Sequence, residues 1–163
     1  MFLFGKKKKE AAGEPRLYAP LTGECMPIDK VPDPVFADKI LGDGVAVLPT
    51  DGTVAAPCDG EITNVAETLH AYGIQTPDGL ELLIHVGLNT VELKGEGFKP
   101  LVKVGDKVKM GTPLCKVDLE FIKSKGYPLY TPLLITNSDE LKSMTGHYEA
   151  VTAGETVAVE YVK

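Results

Sequence analysis

From Arg16 onward, apolar residues come in runs of about four to eight, broken by Gly, Asp, Pro or Asn. The runs are RLYAPL, ECMPI, GVAVLPT, GTVAAPC, GEITNVAE, AYGIQTP, LELLIHVG, PLVKV, KVKMG, PLCKVD, PLLITN and ETVAVEYV; the breaks include GDG, TDG, CDG, TPDG, KGEG, VGD and TAGE. Short runs at this spacing, each closed by turn residues, predict an all-β chain folded as an antiparallel sandwich or barrel. Three stretches predict short helical turns. PVFADKIL follows Asp33 and LEFIKSK follows Asp118, each with a capping residue ahead of a one- to two-turn apolar pattern. SDELKSMTG has Ser138 as its cap and a glycine at its end.

The chain echoes itself. APLTGECMPI begins at Ala19 and APCDGEITNV at Ala56; both read Ala-Pro, two residues, Gly-Glu, three residues, then an aliphatic. This points to a duplicated strand motif within one domain, with a turn at each glycine. A length of 163 residues suits one domain with a real core, placed here at residues 16–163.

Charge narrows the partners. The formal net charge is −6, and Lys6 to Lys9 against Glu10 leave −9 for the chain beyond residue 10. An acidic body without a basic stripe argues against nucleic acid and suits a protein partner that presents basic residues. Cys25, Cys58 and Cys115 are odd in number and widely spaced, without a CxxC, which reads as a reduced, cytosolic compartment. No apolar run approaches the ~18 residues of a membrane span. Residues 1–15 read as a loose basic tail, and the lysines behind MFLF suit at most weak contact with an anionic lipid surface.

Two of the three histidines sit in short apolar contexts, His70 in ETLHAYGI and His85 in LELLIHVGLNTVELKGEGF. A lone histidine there is more often a satisfied core or rim residue; two in neighbouring candidate strands favour a site. A histidine that accepts a phosphoryl group presents one neutral nitrogen as nucleophile, while the other is held as N–H by an acceptor. Gly87, two residues after His85, permits a tight turn that brings a carbonyl to the ring. A second imidazole nearby can donate to a phosphoryl oxygen. Thr68, two residues before His70, is expected on the same strand face, with its hydroxyl orienting the ring. There is no P-loop pattern and no GxGxxG, so a nucleotide donor is not expected. HExxH and HxH are absent, so no metal or other cofactor is expected. His147, in TGHYEAV, reads as a surface histidine.

VPDPVFADKILGDGVAVLPTDG, ETLHAYGI, LELLIHVGLNTVELKGEGF and LLITNSDEL resemble the glucose-type enzyme IIA proteins of the bacterial phosphoenolpyruvate-dependent sugar phosphotransferase system. The resemblance runs from about Arg16 to Lys163, and IHVGLNTVELKGEGF is its most specific stretch. It implies an antiparallel β-sandwich with a shallow site on one face. It implies that His85 is the phosphorylated histidine, His70 the supporting one, and Thr68 the threonine paired with His70. Val35, Phe36 and Leu41 match the apolar rim that docks the carrier protein, and Asp139 matches an acidic residue beside the site. The donor implied is the phosphocarrier HPr, and the acceptor the IIB domain of a sugar permease, with room for regulatory binding. Two positions depart from the pattern: Leu69 stands where a polar residue is usual, and Asn89 where an Asp is common.

Two other classes compete. VKVGDKVKMGTPLCKVD has the strand-turn-strand look of a biotinyl- or lipoyl-type carrier domain, but DLEFIKSK occupies the place where such a domain presents its hairpin lysine. A metallopeptidase of similar β architecture lacks its HxH here.

Overall fold

The computed structural model describes residues 15–163; the expectation of a tail falls mostly on residues outside that span. Pro15 already belongs to the fold, because its carbonyl accepts from Tyr161 N at 3.0 Å.

Fourteen strands are found among the described residues, and all their pairings are antiparallel. They are β1 (Arg16–Tyr18), β2 (Gly23–Pro27), β3 (Asp43–Pro49), β4 (Thr53–Ala55), β5 (Gly60–Val65), β6 (Ala71–Gln75) and β7 (Glu81–His85). The remainder are β8 (Phe98–Pro100), β9 (Lys107–Val108), β10 (Pro113–Val117), β11 (Thr131–Ile135), β12 (Ser143–Gly146), β13 (Ala150–Val151) and β14 (Val157–Val162). An eight-stranded sheet runs β13-β2-β3-β11-β7-β6-β5-β9, and two three-stranded sheets run β1-β14-β12 and β4-β10-β8. The main core gathers Leu17, Val47, Ile62, Tyr72, Ile84, Leu114 and Leu133. A smaller cluster of Ile28, Val31, Phe36, Ala46, Leu88 and Leu134 forms a separate apolar group.

The duplicated motif is built into the whole architecture. The order of the large sheet reads as two matching halves that meet between β11 and β7: β2 and β3 on one side correspond to β5 and β6 on the other. Register repeats with it. Glu24 pairs with Ala150 as Glu61 pairs with Lys107, and Gly23 pairs with Val151 as Gly60 pairs with Val108. The two Ala-Pro segments are hydrogen-bonded reciprocally, Tyr18 N to Pro57 O and Ala55 N to Pro20 O, both at 2.8 Å. The paired glycines have one cause. A Cβ on Gly23 would strike the Leu48 carbonyl, and one on Gly60 the Gln75 carbonyl, so both strands start where a neighbouring backbone comes too close for a side chain.

Two helices match the capping pattern in the sequence. α1 (Pro34–Ala37) is capped by Asp33, whose Oδ1 accepts from Val35 N at 3.0 Å; α2 (Leu119–Ser124) is capped by Asp118, whose Oδ1 accepts from Phe121 N at 3.1 Å. The first is shorter than PVFADKIL suggests, because Lys39 turns into the left-handed region at φ 59°. SDELKSMTG is a correction. Only Ser138–Glu140 forms a single 3-10 turn, and Ser143–Gly146 is β12, paired with the C-terminal strand β14. The Ser138 hydroxyl accepts from Asp43 N at 3.2 Å instead of capping its own helix, and Leu141 and Met144 pack on the main core. Tertiary pairing overrides the local signal here. PLVKV also shifts: β8 is Phe98–Pro100, and Leu101 and Val104 point outward beyond it.

Candidate functional site

β7 places the site by its period of two. Leu82 and Ile84 belong to the main core; Leu83 packs on the smaller apolar cluster, and His85 shares its face of the strand. Ala71 of β6 pairs with His85, so His70 lies beside the end of β7, and Val86 N donates to the His70 carbonyl at 2.7 Å. The two imidazoles meet edge to face, with ring centroids 4.8 Å apart and planes at 82°. Phe36 from α1 sits against His85 with centroids 5.0 Å apart.

Each ring is held by one nitrogen. His85 Nδ1 lies 2.8 Å from the Gly87 carbonyl oxygen. A carbonyl only accepts, so Nδ1 carries the hydrogen and Nε2 keeps its lone pair. This is the turn the sequence suggested, with Gly87 at φ 77°. His70 Nδ1 lies 2.8 Å from Thr68 Oγ1. The threonine lies in a turn, not on a strand face as expected: β5 ends at Val65 and β6 begins at Ala71. Leu69 between them is left-handed at φ 62°, and Leu69 N donates to the Ala66 carbonyl at 2.8 Å. A leucine in that region costs roughly 1 kcal/mol, which its packing against the main core offsets. Asn89, the other departure from the family pattern, is also left-handed at φ 61°, a conformation asparagine tolerates well.

Burial pushes both imidazoles below their ordinary pKa. His85 is lowered by desolvation, opposed by the Gly87 carbonyl and by Asp33; His70 is lowered by desolvation and then by its proximity to His85, opposed by the Thr68 contact. Both are therefore neutral at pH 7, the state a nucleophilic imidazole requires. A stability prediction follows from the same direction. Unfolded histidines take up protons near pH 6.5, before the folded ones do. The contribution of the pair is thus fully present above that pH and is lost as pH falls through the lower, folded values. Unfolding free energy measured from pH 8 to pH 5 should decline in this window, and His70→Gln should flatten the decline.

The other expected residues are distributed differently. Val35 and Leu41 are each 41% exposed, and Ile40, which the sequence did not single out, is 67% exposed. Phe36 corrects the expectation: it is only 4% exposed and belongs to the smaller apolar cluster. Asp139 makes no hydrogen bond or ion pair with either histidine. It lies in the 3-10 turn after β11, beyond Ile135, which pairs with Leu82 and Asp43 and so lies toward the opposite end of β7 from His85. His147 lies apart from the pair, with Nε2 2.6 Å from Glu160 Oε2.

Among the described residues no group of three or more His, Cys, Asp or Glu is placed to hold a metal ion, and no helix is long and apolar enough to cross a membrane. A groove of about 780 Å³, lined in part by Leu48, Leu129 and Val151, does not include either histidine. The segment DLEFIKSK is a capped helix and not a lysine-bearing hairpin, so a biotinyl or lipoyl acceptor has no counterpart there.

Residues 15–141 match the family model of the phosphoenolpyruvate-dependent sugar phosphotransferase system, EIIA 1. The chain belongs to this EIIA family. It is 47% identical over 161 residues to the PTS system glucose-specific EIIA component of Staphylococcus epidermidis, covering 97% of this chain and 95% of the relative. It is 46% identical over 159 residues to the protein of the same name from Staphylococcus aureus, with the same coverage. Among solved structures, glucose permease IIA from Mycoplasma capricolum superposes with a TM-score of 0.81 at 35% identity, over 88% of this chain and 94% of that one. The EIIA chain is thus a phosphoryl carrier in sugar transport, with the antiparallel sandwich fold of its structural neighbour.

Proposed function

We propose that this EIIA protein receives a phosphoryl group on His85 Nε2 from phospho-HPr and passes it to the IIB domain of a sugar permease at the cytoplasmic membrane face. The names of its relatives support glucose as the sugar served. The observation that carries the reading is the Nδ1–H bond from His85 to the Gly87 carbonyl, with a second imidazole 4.8 Å away.

In the transfer, the Nε2 lone pair attacks phosphorus as the P–N bond to the donor imidazole breaks, and that electron pair returns to the donor nitrogen. The product ring carries phosphorus on Nε2 and hydrogen on Nδ1, a cationic imidazole that the Gly87 carbonyl stabilises. With the Thr68 hydroxyl donating to His70 Nδ1, His70 presents Nε2–H toward the phosphoryl oxygens. Val35, Ile40 and Leu41 supply an apolar rim for both protein partners, and exclusion of water beneath a docked partner protects the P–N bond. Asp33, whose charge bears on the His85 ring, contributes negative charge toward a basic partner surface.

His70→Gln separates accepting from passing on. It should still be labelled at His85 by phospho-HPr, while transfer to IIB slows by ~10²-fold, the scale of one lost charge-stabilising donor. Rapid-quench measurement of both half-reactions checks this, and a variant that accepts no phosphate would overturn the division of roles.

A further inference from the structure

The loop that holds His85 is itself held by a residue that makes no hydrogen bond to either imidazole. After β7 the chain runs through Val86, Gly87, Leu88 and Asn89 before the 3-10 turn Thr90–Leu93. Thr90 is 0% exposed, and its hydroxyl donates to the Val86 carbonyl at 2.6 Å. On its other side, the Val86 N–H donates to the His70 carbonyl at 2.7 Å. Val86 is therefore fixed at both its amide and its carbonyl, and Gly87 leaves it at φ 77° with its own carbonyl turned back to His85 Nδ1. The Thr90 methyl fills the remaining space: a Cβ on Gly87 would lie 2.6 Å from Thr90 Cγ2. One side chain thus contacts the peptide before Gly87 through its hydroxyl and crowds Gly87 itself through its methyl.

We propose that Thr90 is a positioning residue for phosphoryl transfer, setting the Gly87 carbonyl that keeps His85 in the Nδ1–H tautomer. The proposal rests on the reading of His85 Nε2 as the phosphoryl acceptor. Free imidazole populates both tautomers, and only the Nδ1–H form has its lone pair on Nε2. A carbonyl displaced by an ångström no longer selects between them, and misplacement on that scale at a reacting group is costly to rate. The methyl resists movement of the loop and the hydroxyl sets its angle. The two functions can be separated by substitution.

Thr90→Val keeps the shape and removes the hydroxyl, Thr90→Ala removes both groups, and Thr90→Ser keeps the hydroxyl alone. The readouts are the ¹⁵N chemical shifts of the His85 ring in the unphosphorylated protein and the rate of labelling by phospho-HPr. Both hydroxyl-less variants should show Nε2–H tautomer at His85 and label about tenfold more slowly, while Thr90→Ser keeps the native tautomer and rate. Thr90→Ala serves if Thr90→Val does not fold. If His85 stays fully Nδ1–H in a folded hydroxyl-less variant, or if Ser is as damaging as Ala, Thr90 is only a packing residue and the proposal fails. The tautomer shift is read without phosphate, so a shift accompanied by labelling at another residue would leave the positioning role standing and refute the acceptor assignment instead.

Discussion

His85→Ala should take up no phosphate from phospho-HPr under conditions in which the native protein is fully labelled. Two features make the expected loss complete. Nε2 of His85 is the ring nitrogen left with a free lone pair by the Gly87 carbonyl. His70 does not substitute readily, because it is only 7% exposed and, with the Thr68 hydroxyl donating to Nδ1, its Nε2 carries the hydrogen. Losing the covalent nucleophile removes the intermediate itself, so no slower route through the same site remains. The variant should fold: His85 ends a strand whose pairing is made by backbone, with Leu82 and Ile84 supplying the core contacts. Retention of native sheet structure, checked by circular dichroism, together with absent labelling would support the assignment; labelling at the native rate would sink it.

Phe36→Lys should destabilise the protein by at least ~3 kcal/mol, the low end for deleting a buried phenylalanine. For a domain of this size that lowers the unfolding temperature by on the order of 10 °C. The ring is 4% exposed, packs with Ile28, Val31, Ala46, Leu88 and Leu134, and lies 5.0 Å from the His85 ring. A lysine there either buries an ammonium without a partner or pulls α1 away from the sheet. The second outcome also uncovers His85, so labelling should slow along with the loss of stability. Native thermal stability with only weaker HPr association would mean that Phe36 is a surface docking residue after all. Val35→Lys is the control: at 41% exposure it should weaken docking and leave unfolding nearly unchanged.

The contrast between Phe36 and Val35 shows where the sequence is a good guide. The strands were legible because each apolar run ends in Gly, Asp, Pro or Asn, and the echo of Ala19 in Ala56 anticipated a correspondence that the register bears out at Glu24 and Glu61. The histidine pair was legible because imidazole is scarce in this chain and both copies sit in apolar context. The carbonyl at Gly87 was legible because a glycine two residues past a strand-end histidine is a local turn signal. What was hidden depends on distant parts of the chain. Phe36 is drawn under His85 by a cluster assembled from five separate segments. Ser143–Gly146 becomes a strand because β14 supplies its partner, and no local pattern reports this. Leu69 adopts a left-handed conformation that its residue type disfavours, because the turn must carry Thr68 back to the His70 ring. No sequence pattern marks Thr90; only its burial and its bond to the Val86 carbonyl distinguish it.

The most direct test is to label the native protein with phospho-HPr and locate the phosphoryl group at alkaline pH, by peptide mapping and by ³¹P–¹⁵N correlation within the ring. Phosphorus on Nε2 of His85, with hydrogen retained on Nδ1, is the expected result. Phosphorus on His70, or on Nδ1 of His85, would contradict it.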